Sequence, residues 1–433
     1  MNVAPIPPEA PAVGFGEALG VWARIGVLSF GGPTAQIALM HRVLVDERGW
    51  LSEQRFLTAL SFCMLLPGPE AMQLATYAGW RLHGLRGGLA AGLLFVAPGA
   101  LIVLALAAAY AAWGQVPLME ALFLGIKAAV LVIVMEALVR ISRRALAGAG
   151  AYVLAGLAFV GIFFLDLPFP LIVLGAGVWG FLGHRRPAAG LLPVPAVPLR
   201  ATARTVALGL AIWLLPLLAV GLLAPGGVLT GLAVFFSKLA VVTFGGAYAV
   251  LAYMAQDVVE GYGWLTAGEM LDGLGLAETT PGPLILVTEF VGYLAAHRHG
   301  LPGGWASGVA GAAVALWATF APCFLWIFAG APYVDRLSAD PRLRGALAAI
   351  TAAVVGVILN LTLWFALHVF FAEVAEVRAG PLRLWLPDLA TLDLRVVALA
   401  GVSALLLLGR HWSIPAVLAV SGGLALGLWA AGL

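Results

Sequence analysis

Arg24 and Lys238 are cations set inside apolar runs, and each stands the same distance before a Phe-Gly-Gly tripeptide, Phe30-Gly31-Gly32 or Phe244-Gly245-Gly246. Ser29 and Thr243 place a hydroxyl immediately ahead of each tripeptide, and Pro33 and Gln36 follow the first. Two Pro-Gly-Pro tripeptides, Pro67-Gly68-Pro69 and Pro281-Gly282-Pro283, interrupt the chain again, with Glu70 and Gln73 after the first and Glu278, Thr279 and Thr280 before the second. These residue types bind rather than make bonds. Glycine lets the backbone turn and come close to a ligand, and proline suits the first turn of a new helix. The new helix then aims unpaired N–H groups and its positive end at the break, a geometry that attracts anions. An intramembrane cation costs from about 2.5 to more than 10 kcal/mol, so two at equivalent positions call for a compensating partner. A dianion held between Arg24 and Lys238 would be one. The competing reading has both side chains snorkelling to the surface or pairing with carboxylates such as Glu70 and Glu278.

Four further groups are candidates for coupling or gating. Lys127 lies in an apolar run with Glu136 nine residues on, and Glu70 and Glu278 flank the Pro-Gly-Pro breaks. A buried carboxyl can carry a proton; the alternatives are structural pairing for Lys127 and Glu136 and, for Glu70, a first-turn acid satisfied by its helix dipole. Gln36, Gln73, Thr279 and Thr280 suit either the holding of oxygens or the satisfaction of freed backbone. Cys63 and Cys323 form no CxxC pair, so neither a disulfide nor a metal framework is expected. No HExxH and no GxxxxGK[ST] loop occurs, and neither metal, cofactor, catalytic residue nor nucleotide hydrolysis is expected.

The elements that hold these residues must lie in a bilayer. The 433 residues are 62% hydrophobic and 10% charged, with mean hydropathy +1.03, whereas soluble domains are typically about a quarter charged. The apolar runs are continuous rather than alternating, which predicts an all-α polytopic membrane protein and disfavours a barrel. A net charge of +2 gives no reason to expect nucleic acid; lipid is the expected surrounding partner. Residues 1–13 lack a basic cluster and do not read as a signal peptide.

The chain is one plan used twice. Thr243 follows Ser29 by 214 positions, and the same offset superimposes Gly49-Trp50-Leu51 on Gly263-Trp264-Leu265 and the first Pro-Gly-Pro on the second. His83-Gly84 then matches His299-Gly300, and Ala97-Pro98 matches Ala321-Pro322, the offset having drifted to 224. This predicts a first repeat over 1–186, a proline-broken linker over 187–204, an unpaired crossing helix over 205–226, and a second repeat over 227–433. An unpaired crossing inverts the second copy. Loop charge agrees: Arg42, Arg48 and Arg55, with Asp46, Glu47 and Glu53, in one connection are answered by Asp257, Glu260, Glu269 and Asp272 without a basic residue in its counterpart, and Arg140, Arg143 and Arg144 by Glu373 and Glu376. By the enrichment of cytoplasmic loops in Lys and Arg, Arg185, Arg186, Arg200 and Arg204 put the linker in the cytoplasm. Arg298, Arg378 and Arg383 run against this pattern.

Full spans are expected near 89–112, 119–139, 151–165, 170–182, 206–223, 304–328, 344–371, 394–408 and 414–433. The segments flanking the glycine and proline breaks are each about 14 to 17 residues, or roughly 20 to 25 Å, short of a core of about 30 Å. They read as half-helices, re-entrant or interrupted. Backbone freed there must be buried or line a polar cavity, so the function is expected where the helices fail.

At these residues the sequence resembles the chromate ion transporter family, in "FGGPTAQ", "GWLSEQRF" and "LLPGPEAMQLATYAGWRLHGLRGG", and again in "TFGGAYAV" and "GWLTAGEMLDGLGLAETTPGPLILVTEFVGY". The resemblance covers nearly the whole chain and includes the two-copy organisation of the family's long form. It implies an inner-membrane exporter of chromate, conferring chromate resistance, with the dianion bound between the repeats at the broken helices. Sulfate, alike in size and charge, is the alternative substrate; a membrane-embedded enzyme and an anion channel are the alternatives of other classes. The second Phe-Gly-Gly precedes Ala247 where the first precedes Pro33, so the two half-helices need not contribute equally. Apolar repeats are compatible with a homodimer.

Overall fold

Glycine and proline set where the helices stop. The computed structural model describes residues 13–114, 116–183, 198–244 and 247–432. In the first copy helix Phe15–Leu28 ends at Ser29, Gly31 adopts φ +84°, and helix Gly32–His41 starts with Pro33 in its first turn. It widens over Arg42–Glu47, turns at Gly49 and gives way to helix Glu53–Leu65, whose first turn is capped by the Ser52 hydroxyl accepting from the Arg55 N–H. After Pro67-Gly68-Pro69 the helical stretch Glu70–Trp113 is interrupted at His83 and Gly84.

The second copy repeats this order. Val228–Val242 is followed by Ala247–Gln256, a widened turn Asp257–Gly261, Ala267–Thr279, a tight turn Leu284–Leu286 running into Val287–His299, and Gly304–Gly330. Even the turns agree: Trp50 N–H donates to the Leu44 carbonyl and Trp264 N–H to Val258, with Gly49 and Gly263 both at positive φ. Gly245 and Gly246 lie outside the described residues.

The segments at the breaks are 10 to 15 residues long, about 15 to 22 Å, half-helices as expected but mostly shorter than the roughly 14 to 17 residues the sequence suggests. Among the described residues five helical segments are long and apolar enough to cross a membrane: Glu70–Trp113, Pro117–Ala145, Leu199–Leu223, Gly304–Tyr333 and Pro341–Phe370. Ala149–Phe163 and Phe169–Gly183, expected as full spans, are 15 residues each, and Ile414–Ala430 is 17. At about 22 to 26 Å they fall short of a bilayer core unaided. Most of the expected linker falls on 184–197, outside the described residues, and its end is already helical because Pro198 caps helix Leu199–Leu223.

The chain forms two compact units, each drawing on both copies: residues 1–105, 184–247 and 280–344 make one, and 106–183, 248–279 and 345–433 the other. In the first unit, Val287–His299 packs along Gly304–Gly330 at backbone distance, since a Cβ on Gly311 would lie 2.2 Å from the Gly292 carbonyl oxygen. Small residues at such crossings are what packing between membrane helices requires. Trp213 fastens Leu199–Leu223 to the same helix, its Nε1 donating to Ala318 O at 3.2 Å while Trp317 Nε1 donates to Trp213 O at 3.1 Å.

In the second unit Pro117–Ala145 packs against Ile414–Ala430, and Ser421 Oγ donates to the Gly125 carbonyl at 2.7 Å. The segment after Phe370, expected as an acidic loop, folds into a hairpin of Val374–Ala379 paired antiparallel with Leu382–Pro387. Its arginines are partnered. Arg383, 4% exposed, meets Asp166 at 2.8 Å and Glu260 at 3.2 Å, and Arg378 meets Asp166 and Glu376. Two of the three basic residues that run against the charge pattern, Arg378 and Arg383, therefore neutralise acids of their own loop cluster.

Candidate functional site

The interrupted helices of the first unit leave backbone groups free, and these groups satisfy one another across the repeat. Gly282 N–H donates to the Ser29 carbonyl at 2.9 Å, and Gly68 N–H to the Thr243 carbonyl at 2.9 Å. Ser29 and Thr243 are equivalent positions, as are Gly68 and Gly282, so each Phe-Gly-Gly break bonds the Pro-Gly-Pro break of the other copy. Gln36, 1% exposed, reinforces the first junction by donating Nε2 to Ser29 O at 3.1 Å and to Gly282 O at 2.6 Å. Gln73, fully buried, donates Nε2 to Pro67 O at 2.7 Å. Both amides keep a buried Oε1 without a partner.

Gly68 and Gly282 have φ +119° and +94°, where L side chains rarely go. A Cβ on Gly68 would meet Gln73 Nε2 at 2.8 Å and Cys323 Sγ at 2.9 Å, and one on Gly282 would meet Leu286 Cδ1 at 2.9 Å. The tripeptides are glycine-centred because their positive φ disfavours any L side chain, and a Cβ would also require Gln73, Cys323 or Leu286 to give way.

Pro33, Pro69 and Pro283 open the helical segments beginning at Gly32, Glu70 and Leu284, and the three first turns line one small cleft with Gln36, Glu70, Ala71, Leu284 and Ile285. Three first turns thus border one space; the leading N–H groups of a helix have no intrahelical carbonyl to bond and carry the positive end of its dipole. Glu70 lines the cleft half-buried and has no ion pair among the described residues.

The remaining expected site residues divide plainly. Ser29, Thr243, Thr280, Pro281, Gly282 and Pro283 are buried; Gly31, Gly32, Pro33, Pro67, Gly68, Pro69 and Phe244 are partly buried; Phe30 is exposed. Thr243 Oγ1 donates to Leu239 O of its own helix, whereas Ser29 Oγ donates to Gly26 O and also accepts from the Gly282 N–H at 3.1 Å, so it belongs to the junction as well. Arg24 and Lys238 are both exposed on the first unit rather than among the cleft-lining side chains.

Lys127, Glu136 and Glu278 belong to the second unit. Lys127 Nζ lies 3.4 Å from Asp272 Oδ2, which also accepts from Tyr110 OH at 2.7 Å. Glu278 accepts from Tyr248 OH at 2.7 Å, and Glu136 pairs with Arg140 at 3.5 Å. Among the described residues no cluster of three or more His, Cys, Asp or Glu could hold a metal, and Cys63 and Cys323 are buried free thiols.

The family model described as Chromate transporter matches residues 17–181 and 230–428, covering both copies. The chain belongs to the chromate transporter family. Among curated relatives, it is 34% identical over 359 residues to the chromate transport protein of Pseudomonas aeruginosa, 80% of each chain being covered. It is 31% identical to a probable chromate transport protein of Synechococcus elongatus (80% of this chain, 84% of the relative) and 30% identical to the chromate transport protein of Cupriavidus metallidurans (82% and 86%). No solved structure is a significant match. As a member of the chromate transporter family, the chain is a multi-pass membrane transport protein and not an enzyme.

Two residues of this chromate transporter escape a reading by motif. Asp272, 2% exposed, appears in sequence as one acid among several in a loop region, yet it holds Lys127. Glu289, 1% exposed, has an unpartnered buried Oε2. The signal for Glu289 lies in the drift of the repeat: at the offset of 216 that joins His83 to His299, it stands opposite Gln73.

Proposed function

We propose that this transporter exports chromate from the cytoplasm and confers chromate resistance, taking the dianion into the cleft at the broken helices. The observation that carries the reading is the convergence of three helix N-termini, opened by Pro33, Pro69 and Pro283, on one space. Each N-terminus favours an anion by about 0.3–1 kcal/mol, and by up to about 2 kcal/mol where partly buried. Gly31 and Gly32 let the chain turn into the helix that Pro33 opens, while Gly68 and Gly282, with Gln36 and Gln73, fix the geometry of the junction on which the cleft sits. Arg24 and Lys238, exposed at equivalent positions, raise the local anion concentration without entering the cleft.

The driving force needs no nucleotide. A membrane potential negative inside favours the exit of negative charge by about 2.3 kcal/mol per charge per 100 mV, or roughly 4.6 kcal/mol for a dianion, which is about three decades of gradient. The arginines Arg42, Arg48 and Arg55, which share their connection with Asp46, Glu47 and Glu53, and the cluster Arg140, Arg143 and Arg144, set against counterparts in the second copy that carry Asp257, Glu260, Glu269 and Asp272, and Glu373 and Glu376, support inverted repeats in the inner membrane with a cytoplasmic linker.

Labelled chromate uptake into inside-out vesicles tests the reading. Saturable uptake that follows the imposed potential is expected, with weak competition by sulfate. Sulfate competing as well as unlabelled chromate would make the protein a general oxyanion carrier, and uptake that never saturates would make it a channel.

A further inference from the structure

Glu289 is an acid where the fold offers it no counter-charge. It sits in the first turn of Val287–His299, one helical turn beyond Ile285 of the cleft lining, and is 1% exposed. Its own helix adds Tyr293 on the same face and His297, Arg298 and His299 only at the far end. The helices packed against it carry little charge: Gly304–Gly330 holds no Asp, Glu, Lys, Arg or His and only the thiol of Cys323, and Val228–Val242 holds only the exposed Lys238. No ion pair reaches Glu289 among the described residues, and its Oε2 is buried without a partner.

The repeat supplies a second, independent observation. At the offset joining His83 to His299 and Tyr77 to Tyr293, the equivalent of Glu289 is Gln73, likewise fully buried with an unpartnered Oε1. Glutamine is the neutral isostere of a protonated glutamic acid. The first copy thus holds permanently the form that Glu289 reaches only with a proton bound. An ionised carboxylate one turn from a helix start cancels the positive end that the cleft offers an anion, whereas the protonated form leaves it intact.

Building on the oxyanion reading of the cleft, we propose that Glu289 is a proton-binding site of this transporter, neutral when the cleft holds an oxyanion and ionised when it does not, so that oxyanion binding takes up a proton. One proton moves from water to a Glu289 carboxylate oxygen as the anion enters, and leaves when the anion leaves, so each turnover moves one net negative charge and the potential contributes half of what it would for the dianion alone. No other bond changes.

The test uses the full chain in vesicles, the wild type beside Glu289→Gln, at an alkaline pH where the oxyanion itself carries no proton. Infrared difference spectra on chromate addition should show a protonated-carboxyl band, shifted by deuterium, in the wild type and not in the variant. A pH-sensitive dye should report uptake of about one proton per bound chromate, lost in Glu289→Gln while chromate still binds. Gln73→Glu, which makes the first copy like the second, should add proton uptake. A carboxyl band that persists in Glu289→Gln, or chromate binding in the wild type without proton uptake, overturns the proposal. If chromate binds neither protein, the oxyanion reading falls, and the protonation of Glu289 is then decided by whether a pH titration of the wild type shows a carboxyl band that the variant lacks.

Discussion

Gly282 donates its backbone N–H to the carbonyl of Ser29 at 2.9 Å, and the equivalent Gly68 does the same for Thr243. These two bonds dispose of four backbone groups that a broken helix would otherwise leave unpaired in an apolar setting, where each costs several kcal/mol. They also tie the start of each copy to the middle of the other. The breaks are a reciprocal joint, and the cleft sits on it.

Replacing Gly282 or Gly68 by valine tests the joint. Each position has positive φ and no room for a Cβ, and forcing a non-glycine residue there costs about 1–3 kcal/mol before any clash. Vesicle transport is expected to fall by about tenfold or more in the fraction of protein that still inserts. Gly20→Ala, on an exposed helix face with open space around its Cβ position, serves as the control and should leave transport unchanged.

Arg24 and Lys238 separate two versions of the site. Because both are exposed and lie outside the cleft lining, Arg24→Met and Lys238→Met should retain saturable chromate binding, with a slower and less salt-sensitive approach. Gln36→Leu should lose saturable binding, since the carbonyl of Gly282 loses a buried donor at a cost of about 1–3 kcal/mol. Direct binding to purified protein at low and high salt distinguishes the two outcomes.

Asp272 and Lys127 form a pair whose carboxylate is 3% exposed and whose ammonium is 27% exposed. Asp272→Ala is expected to destabilise by at most the about 3–5 kcal/mol of a broken buried pair, and by less because Lys127 reaches solvent. Asp272→Leu combined with Lys127→Met should recover most of the loss. Unfolding in detergent over the full double-variant cycle reads the coupling.

His41 gives a pH dependence outside the spanning helices. Its hydrogen bond to Glu53, aided by the charges of Glu53 and Asp46, raises the imidazole above its usual 6.5. The folded value lies above the unfolded one, so the stabilisation is fully present below about pH 6.5 and is lost as pH rises through the raised value. The pair is exposed, so the effect is below about 1 kcal/mol. His41→Asn should lower the melting temperature at acid pH and converge with the wild type at alkaline pH.

Much of this arrangement is legible in residues alone. Phe-Gly-Gly and Pro-Gly-Pro announce the breaks because only glycine and proline tolerate the geometry, and the repeat offset pairs them correctly by position. What the offset does not carry is that the bonded partners come from opposite copies, since equivalence in sequence says nothing of adjacency in space. Arg24 and Lys238 look buried when depth is counted along the helix, but burial is set by which face the side chain leaves from. Glu289 escapes motif reading because a two-residue drift in offset, taken up by the turn Leu284–Leu286, hides its kinship with Gln73. The hairpin Val374–Pro387 follows from alternation around Gly380 in a segment too short and too charged to register among apolar runs.

The central claim is that the oxyanion lies at the converging helix starts. A structure of the full chain in a lipid bilayer with a heavy oxyanion such as tungstate measures it directly. The account predicts density within hydrogen-bonding distance of the backbone N–H groups that follow Pro33, Pro69 and Pro283. Density against Arg24 and Lys238 on the outer face, with that cleft empty, would contradict it.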